Sequence, residues 1–160
     1  MVVAATLVLG QLATYPNLAP WYASLVKPWF NPPNWVFGPV WTGLYLLMGI
    51  AAWLVWRERG FLAAALPLGL FLTQLVANGL WSWLFFVWKR GALAFAEVLL
   101  LWLLIAGTVV AFRRVSPLAA GLLLPYLACS LIAIGLVAQF CIHLAGFFGK
   151  RRRIAATAAA

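Results

Sequence analysis

Negative charge is almost absent from this sequence. Two of its 160 residues are Asp or Glu, and charged residues of both signs make up 8% of the chain, against about 25% in soluble domains. Hydrophobic residues make up 67%, which is more apolar surface than a soluble core of this length can bury. The composition therefore predicts an integral membrane protein, and the length predicts a single domain.

Side chains that carry catalytic or metal chemistry are also scarce. The two cysteines, Cys129 and Cys141, lie about 18 Å apart along one predicted helix, so they cannot form a disulfide with each other. No grouping of Cys, His, Asp or Glu has the spacing of a metal site, and we expect neither a metal nor a cofactor. The sequence has no Ser/His/Asp set, carboxylate pair or phosphate-binding loop, which argues against hydrolysis and phosphoryl transfer.

Basic residues give the chain a net charge of +9. They fall in short clusters between apolar runs, where membrane proteins keep positive charge, so we expect a lipid bilayer as a partner and no nucleic acid. The clusters are Arg57/Arg59, Lys89/Arg90, Arg113/Arg114 and 150–153. The apolar stretches between them predict an all-α, integral membrane bundle of five transmembrane helices, at about 1–18, 35–56, 62–88, 92–112 and 118–148.

Five helices place the two termini on opposite sides of the membrane. One side then carries seven basic residues, namely Lys27, Lys89, Arg90 and 150–153, and the other side carries four. The positive-inside rule predicts that the C-terminus and the first loop are cytoplasmic. We assign residues 1–149 to the membrane domain and residues 150–160 to a basic, Ala-rich tail, which we expect to be disordered or frayed after Ile154.

The segment from Pro20 to Trp41 is the one long stretch that is not simply apolar. It contains five prolines and four tryptophans. Proline fixes φ and removes a backbone donor, so this segment cannot form one regular helix. Tryptophan suits a place that is apolar on one side and wet on the other. The pattern is typical of a rigid aromatic lid or pocket wall.

The third predicted helix has two stripes. Small residues recur every four positions, at Ala65, Gly69, Thr73 and Ala77, and such a ridge lets two helices approach closely in lipid. Beside it run Gln74, Asn78 and Trp81, and we expect these polar side chains to face the bundle interior. Two interpretations stay open: Gln74 and Asn78 bond neighbouring helices only, or they line a pocket.

Glu97 is the one acidic residue at membrane depth. An intramembrane carboxylate indicates a functional site by default. The simpler interpretation, which we favour, is that Glu97 lies near the interface and pairs with Lys89, Arg90 or a donor on another helix. Tyr45 is interpreted as a packing or interfacial residue.

Several motifs resemble one known family. The first-loop pattern is Trp21-Tyr22-x-x-Leu25-x-Lys27-Pro28-Trp29-Phe30-x-Pro32-Pro33, followed by Phe37, Val40-Trp41, Leu44-Tyr45 and Met48. Further along come Gln74, Asn78-x-x-Trp81, Phe85-Phe86 and Pro125-Tyr126-Leu127. These motifs closely resemble the TspO/MBR family of tryptophan-rich sensory proteins, which includes the mitochondrial translocator proteins or peripheral-type benzodiazepine receptors.

The resemblance implies a five-helix bundle, usually a homodimer, in a bacterial or mitochondrial outer membrane. The small ridge of the third helix is the expected dimer surface. The family's ligands are porphyrins such as protoporphyrin IX, haem-related tetrapyrroles, cholesterol and benzodiazepine-type compounds. Carried over by position, the ligand-binding residues are Trp21, Tyr22, Pro32, Pro33, Trp41, Asn78, Trp81 and Ala133.

The function implied is that of a receptor that senses tetrapyrroles and regulates porphyrin metabolism. One alternative is an enzyme that degrades porphyrin with light and oxygen, with Trp41 and Trp21 as the candidates for indole oxidation. Another is a transporter of porphyrin or sterol with lateral access from the bilayer.

The sequence departs from the family pattern at three places. Cys129 replaces a fifth-helix tryptophan, Leu136-Val137 replaces a Leu-Asn pair, and Trp83 replaces a proline. The missing fifth-helix indole removes a stacking wall and a possible redox partner from the expected porphyrin site.

Overall fold

A computed structural model describes the chain over residues 2–18, 35 and 37–158. Its five helices are α1 (Val2–Leu18), α2 (Phe37–Ala63), α3 (Ala65–Ser82, continued by a π-helical turn at Trp83–Val87), α4 (Gly91–Arg113) and α5 (Pro117–Ala158). The described residues include no strand, and the predicted all-α five-helix bundle is confirmed. Four helices are long and apolar enough to cross a membrane, and the apolar part of α1, Val2–Thr14, is shorter.

The helices form a closed ring around one interior. The order of neighbours is α1, α2, α5, α4 and α3, with α3 also packed against α1. Helix α2 touches α3 as well, so these two approach each other across the middle of the bundle. Met48 of α2, Leu75 of α3 and Tyr126 of α5 are fully buried there. This ring brings residues from α2, α3 and α5 to one interior site.

The end of α2 differs from the predicted boundary at Trp56. The helix continues through the charged segment from Arg57 to Arg59 and is interrupted at Gly60, whose backbone has φ 68° and ψ 177°. That conformation is essentially restricted to glycine. Glycine therefore does end the regular helix, but one turn later, and Leu62 belongs to the last turn of α2 instead of the start of α3.

Helix α3 changes its hydrogen-bond pattern near its end. The Trp88 N–H donates to the Trp83 carbonyl oxygen at 2.9 Å, five residues back. The chain then reverses at Lys89, which has a φ of 53°. A π-helical turn places residues five apart on one face, and this changes which aromatic side chains point inward.

Helix α5 is longer than predicted. It runs from Pro117 to Ala158 without a break at Lys150, so the expectation of a disordered chain after Ile154 is wrong. Alanine has the highest helix propensity, and the backbone can continue its hydrogen bonds through the basic run and beyond. The division into a domain at 1–149 and a tail at 150–160 stays a prediction.

Candidate ligand-binding site

Asn78 lies at the centre of the interior and joins three helices. The Tyr45 hydroxyl of α2 donates a hydrogen bond to Asn78 Oδ1. Asn78 Nδ2 donates in turn to the Tyr126 hydroxyl of α5, at 2.9 Å. All three side chains are buried. Because buried polar groups are costly without partners, this Tyr–Asn–Tyr bridge fixes α2, α3 and α5 relative to one another.

Trp41 packs at the edge of this bridge. Its ring centroid is 6.1 Å from that of Tyr45 and 6.4 Å from that of Tyr126, the latter edge-to-face. Trp41 lies one helical turn before Tyr45 on α2, so both rings project to the same face. The indole is only partly buried. It therefore offers a partly open apolar wall next to the two tyrosines that are bonded to Asn78.

Trp81 belongs to a second cluster, in which three aromatic rings contact one another. It stacks on Phe85 with ring centroids 5.5 Å apart and planes at 5°, and it meets Phe86 edge-to-face at 6.0 Å. Phe86 is five residues after Trp81, and the π-helical turn is what allows both consecutive phenylalanines to be buried with it. In the described part of the chain, the buried Trp81 Nε1 donates to no acceptor.

Ala133 and the substituted positions of α5 lie close to these clusters. Ala133 is partly buried and packs on the Trp81 cluster, where Val137 is fully buried. Cys129 is partly buried and packs on the cluster that contains Tyr45 and Tyr126. Cys129, which replaces the family's fifth-helix tryptophan, thus places a small side chain beside the Tyr–Asn–Tyr bridge.

The four predicted site residues within the described part of the chain fall into two groups. Trp41 and Asn78 meet at the bridge, whereas Trp81 and Ala133 meet in the second cluster. Asn78 and Trp81 are one turn apart on α3, so this helix connects the groups. The other four predictions, Trp21, Tyr22, Pro32 and Pro33, lie outside the described residues.

The predicted polar stripe of α3 is confirmed as interior, since Gln74, Asn78 and Trp81 are all buried. Asn78 bonds two neighbouring helices. Gln74 has its Nε2 3.9 Å from Met48 Sδ, and its Oε1 accepts no hydrogen bond from the residues described. The stripe therefore contains one amide, that of Asn78, whose hydrogen bonds join the helices. It also contains an acceptor on Gln74 and a donor on Trp81 that have no hydrogen-bond partner among the described residues.

The expected pairing of Glu97 is wrong. Its side chain is buried, and neither carboxylate oxygen has a hydrogen-bond partner among the described residues. It lies on the inward stripe of α4 with Ala94 and Val98. Lys89 and Arg90 are exposed at the end of the bundle, so the burial of Glu97 directs it away from them.

Two residues of the site were not recognised from the sequence. Tyr45 was interpreted as packing or interfacial, and Tyr126 was used only as part of a family motif. Both are buried phenols at membrane depth, and a phenol there needs a hydrogen-bond partner. Their distance in sequence from Asn78 hides the contact, because neither residue shares a helix with it.

This arrangement suits a flat, largely apolar molecule with a few polar atoms. Aromatic faces and edges surround one amide, which is the usual composition of a small-molecule site. Aromatic rings, two phenol hydroxyls and one amide make up the described part of the site, and such groups can bind a ligand by stacking and hydrogen bonding.

Comparison with known proteins gives a consistent result. The profile of the TspO/MBR family matches residues 1–143. The chain is 48% identical to the human translocator protein over 110 residues, which is 68% of this chain and 65% of that protein. The chain thus spans slightly less than two thirds of the mammalian relative.

Microbial relatives align over more of their length. The chain is 43% identical to the tryptophan-rich sensory protein of Cereibacter sphaeroides over 116 residues, covering 72% of both chains. It is 40% identical to the tryptophan-rich protein TspO of Archaeoglobus fulgidus over 135 residues, covering 84% of this chain and 86% of that one.

Proposed function

The chain belongs to the TspO/MBR family, and we propose that it is a membrane receptor for tetrapyrroles such as protoporphyrin IX and for similar hydrophobic ligands. In this role it senses tetrapyrrole levels and regulates porphyrin metabolism. Its multi-pass membrane location follows from the family and from the four long apolar helices.

The observation that carries the proposal is the Asn78 bridge with Trp41 at its edge. A tetrapyrrole needs broad apolar walls for its faces and a few polar groups at its rim. Trp41 supplies a partly open aromatic wall, and the Asn78 amide supplies hydrogen-bonding atoms inside the bundle. Cys129 places a small side chain where the family has an indole, so Trp41 is the principal stacking residue proposed for this site.

A porphyrin titration tests the proposal directly. Purified protein titrated with protoporphyrin IX in the dark should show saturable quenching of tryptophan fluorescence. Trp41→Phe combined with Asn78→Ala should weaken binding about tenfold or more, since an aromatic contact and a buried hydrogen bond each contribute about 1 kcal/mol. Affinity equal to that of the wild type would contradict this site.

Trp88→Phe is the matched control for that titration. Trp88 is 54% exposed at the end of α3, so its loss removes one fluorophore without touching the interior. The affinity of this variant should equal that of the wild type, and its retention of affinity separates ligand contact from a mere change in the fluorescence signal.

Light-dependent degradation of porphyrin is a second candidate function. It is favoured by the ring contacts of Trp41 with Tyr45 and Tyr126, because adjacent indole and phenol rings can be oxidised in turn. Under illumination in air, protein should bleach protoporphyrin IX faster than detergent alone, and Trp41→Phe should slow the reaction. Equal rates with protein and with detergent would exclude this function.

The proposal extends to a homodimer formed through the small ridge of α3. Ala65, Gly69 and Thr73 are exposed on the bundle surface, and a Cβ added at Gly69 would meet nothing within 4 Å. The Thr73 hydroxyl donates to the Gly69 carbonyl oxygen, which leaves the ridge smooth and without an unsatisfied donor. Ala77, the last member, is partly buried against the core.

We also propose that the C-terminus and the first loop face the cytoplasm, as the distribution of basic residues indicates. A green fluorescent protein fused to the C-terminus should then fluoresce in bacterial cells, whereas alkaline phosphatase fused there should be inactive. The reverse pattern would invert the orientation.

A further inference from the structure

A groove of about 370 Å³ lies between α1 and α2, and Tyr45 is one of the residues that line it. We call it the α1–α2 groove, and its lining residues are Val3, Ala4, Leu7, Thr42, Tyr45, Leu46, Gly49, Ile50 and Trp53. Its rim includes side chains that are strongly exposed, such as Leu46 at 64% and Ile50 at 47%. Both helices belong to the membrane bundle, so the groove opens towards lipid.

The walls of the α1–α2 groove offer almost nothing except apolar contact. The Thr42 hydroxyl donates its hydrogen bond to the Gly38 carbonyl oxygen, at 2.9 Å. The Tyr45 hydroxyl is bonded to Asn78, so Tyr45 presents only its ring. Gly49 has no side chain, and a Cβ built there would meet nothing within 4 Å. An occupant therefore has to be hydrocarbon over the length of the groove.

That length suits an acyl chain. Thr42 and Trp53 mark the two ends of the groove on α2, and eleven residues of helix rise about 16 Å. This is roughly half the hydrocarbon thickness of a bilayer, which is about 30 Å. The groove thus runs across the depth of one lipid leaflet.

A fixed cation stands at one end of the groove. The Arg57 guanidinium lies 4.7 Å from the ring centroid of Trp53, one turn further along α2. A cation held over an indole is restrained at that place. Within the described residues Arg57 forms no ion pair, and the segment Arg57-Glu58-Arg59 carries a net charge of +1. The positive charge at this end of the groove therefore favours the binding of an anionic group.

We propose that the α1–α2 groove binds a phospholipid with an anionic headgroup. One acyl chain lies along Leu46, Gly49 and Ile50, and the phosphate region meets Arg57 above Trp53. Charge complementarity at Arg57 and the hydrocarbon character of the groove select this occupant over a sterol or an uncharged lipid. The inference does not depend on tetrapyrrole binding, because neither Asn78 nor Trp41 is among the residues that line the groove.

Native mass spectrometry of the full chain, titrated with phosphatidylglycerol and phosphatidylcholine of identical acyl chains, tests the site. The wild type should prefer phosphatidylglycerol by about fivefold, the effect of one basic residue at a membrane surface. Arg57→Gln should abolish this preference. Arg113→Gln, which removes an exposed arginine at the same end of the bundle, should leave it intact.

The hydrocarbon part of the site is tested at glycine. Gly49→Leu should fill the groove and lower the affinity for both lipids by about tenfold, the effect expected from losing the burial of a few methylene groups. Gly43→Leu is the control, since Gly43 also has open space beyond its Cβ but lies outside the groove lining. Circular dichroism and thermal unfolding establish that each variant folds.

The outcomes separate the possible occupants. Loss of lipid binding in Gly49→Leu together with loss of preference in Arg57→Gln supports the proposal. A full lipid complement in Gly49→Leu overturns it. Loss of dimer in Gly49→Leu with unchanged lipid binding overturns it too, because the groove would then hold a second copy of the chain.

Discussion

Two buried polar residues on neighbouring helices differ in their hydrogen bonding. Asn78 of α3 is bonded on both sides, to Tyr45 and to Tyr126. Glu97 of α4 is equally buried and has no partner among the described residues. In a bilayer a buried polar group without a hydrogen-bond partner lowers the free energy of unfolding. Asn78 therefore stabilises the bundle, whereas Glu97 destabilises it. The sequence identifies both residues as unusual, but whether each one stabilises or destabilises the fold depends on its hydrogen-bond partners.

Removing one phenol tests the contribution of the bridge. Tyr126→Phe keeps the ring that packs on Trp41 but removes the acceptor for Asn78 Nδ2. We expect the free energy of unfolding to fall by about 0.6–1.5 kcal/mol, the range for one such bond. Denaturation in mixed micelles, followed by circular dichroism, measures the change. An unchanged free energy of unfolding would mean that the bridge contributes no stability.

Removing the carboxylate tests the cost at Glu97. Glu97→Gln preserves shape and removes the group that burial disfavours, so the free energy of unfolding should rise by about 1 kcal/mol or more. Glu58→Gln, at an exposed position of α2, should change it by less than about 0.5 kcal/mol. A loss of stability in Glu97→Gln would reveal a partner for the carboxylate.

Two local irregularities shape the helices around the site. The π-helical turn at Trp83–Val87 turns Phe85 and Phe86 inward together, so Trp81 is enclosed on its face and its edge. The conformation of Gly60 allows α2 to end and α3 to begin within a few residues.

Substitution of Gly60 should therefore be costly. Gly60→Ala places a Cβ in a backbone conformation that only glycine adopts readily, and we expect a loss of about 1–3 kcal/mol. Gly107→Ala is the control: Gly107 is inside α4, and its Cβ would meet nothing within 4 Å. That change should stabilise the helix by up to about 1 kcal/mol. Equal effects in thermal unfolding would contradict the role given to Gly60.

At the scale of the whole molecule, the ring of helices determines which surfaces remain available. Closing the ring buries the polar stripe of α3 and leaves its small ridge outside. The α1–α2 groove lies between two neighbouring helices of the same ring. The bundle thus separates the interior site proposed for a ligand from the outer surfaces proposed for a second copy of the chain and for a lipid.

Cross-linking tests the dimer surface. In a chain whose two native cysteines are replaced by serine, Gly69→Cys should form a disulfide-linked dimer in membranes on mild oxidation. Val110→Cys, exposed on α4 and close to the same end of the bundle, should remain monomeric on a denaturing gel. Equal cross-linking at both positions would indicate random collision instead of an α3 interface.

Much of the fold was predictable because lipid imposes strict local rules. Apolar runs of sufficient length predicted five helices, and the polar stripe on α3 predicted its own inward face. The Trp/Pro motif and the residues on α2 and α3 identified the family. The end of α2 and the length of α5 were predicted less well, since a charged or alanine-rich segment can continue a helix after it leaves the membrane.

The sequence by itself determined that this chain is a five-helix membrane protein of one family, because hydrophobicity and motif spacing are local properties of the chain. Only the tertiary structure decided that Asn78 is held by Tyr45 and Tyr126, that Glu97 has no hydrogen-bond partner among the described residues, and that Trp81 is enclosed through a π-helical turn. Those outcomes depend on which helices become neighbours in the ring. Residues that meet across it are separated by 33 to 48 positions, and no local pattern encodes such a contact.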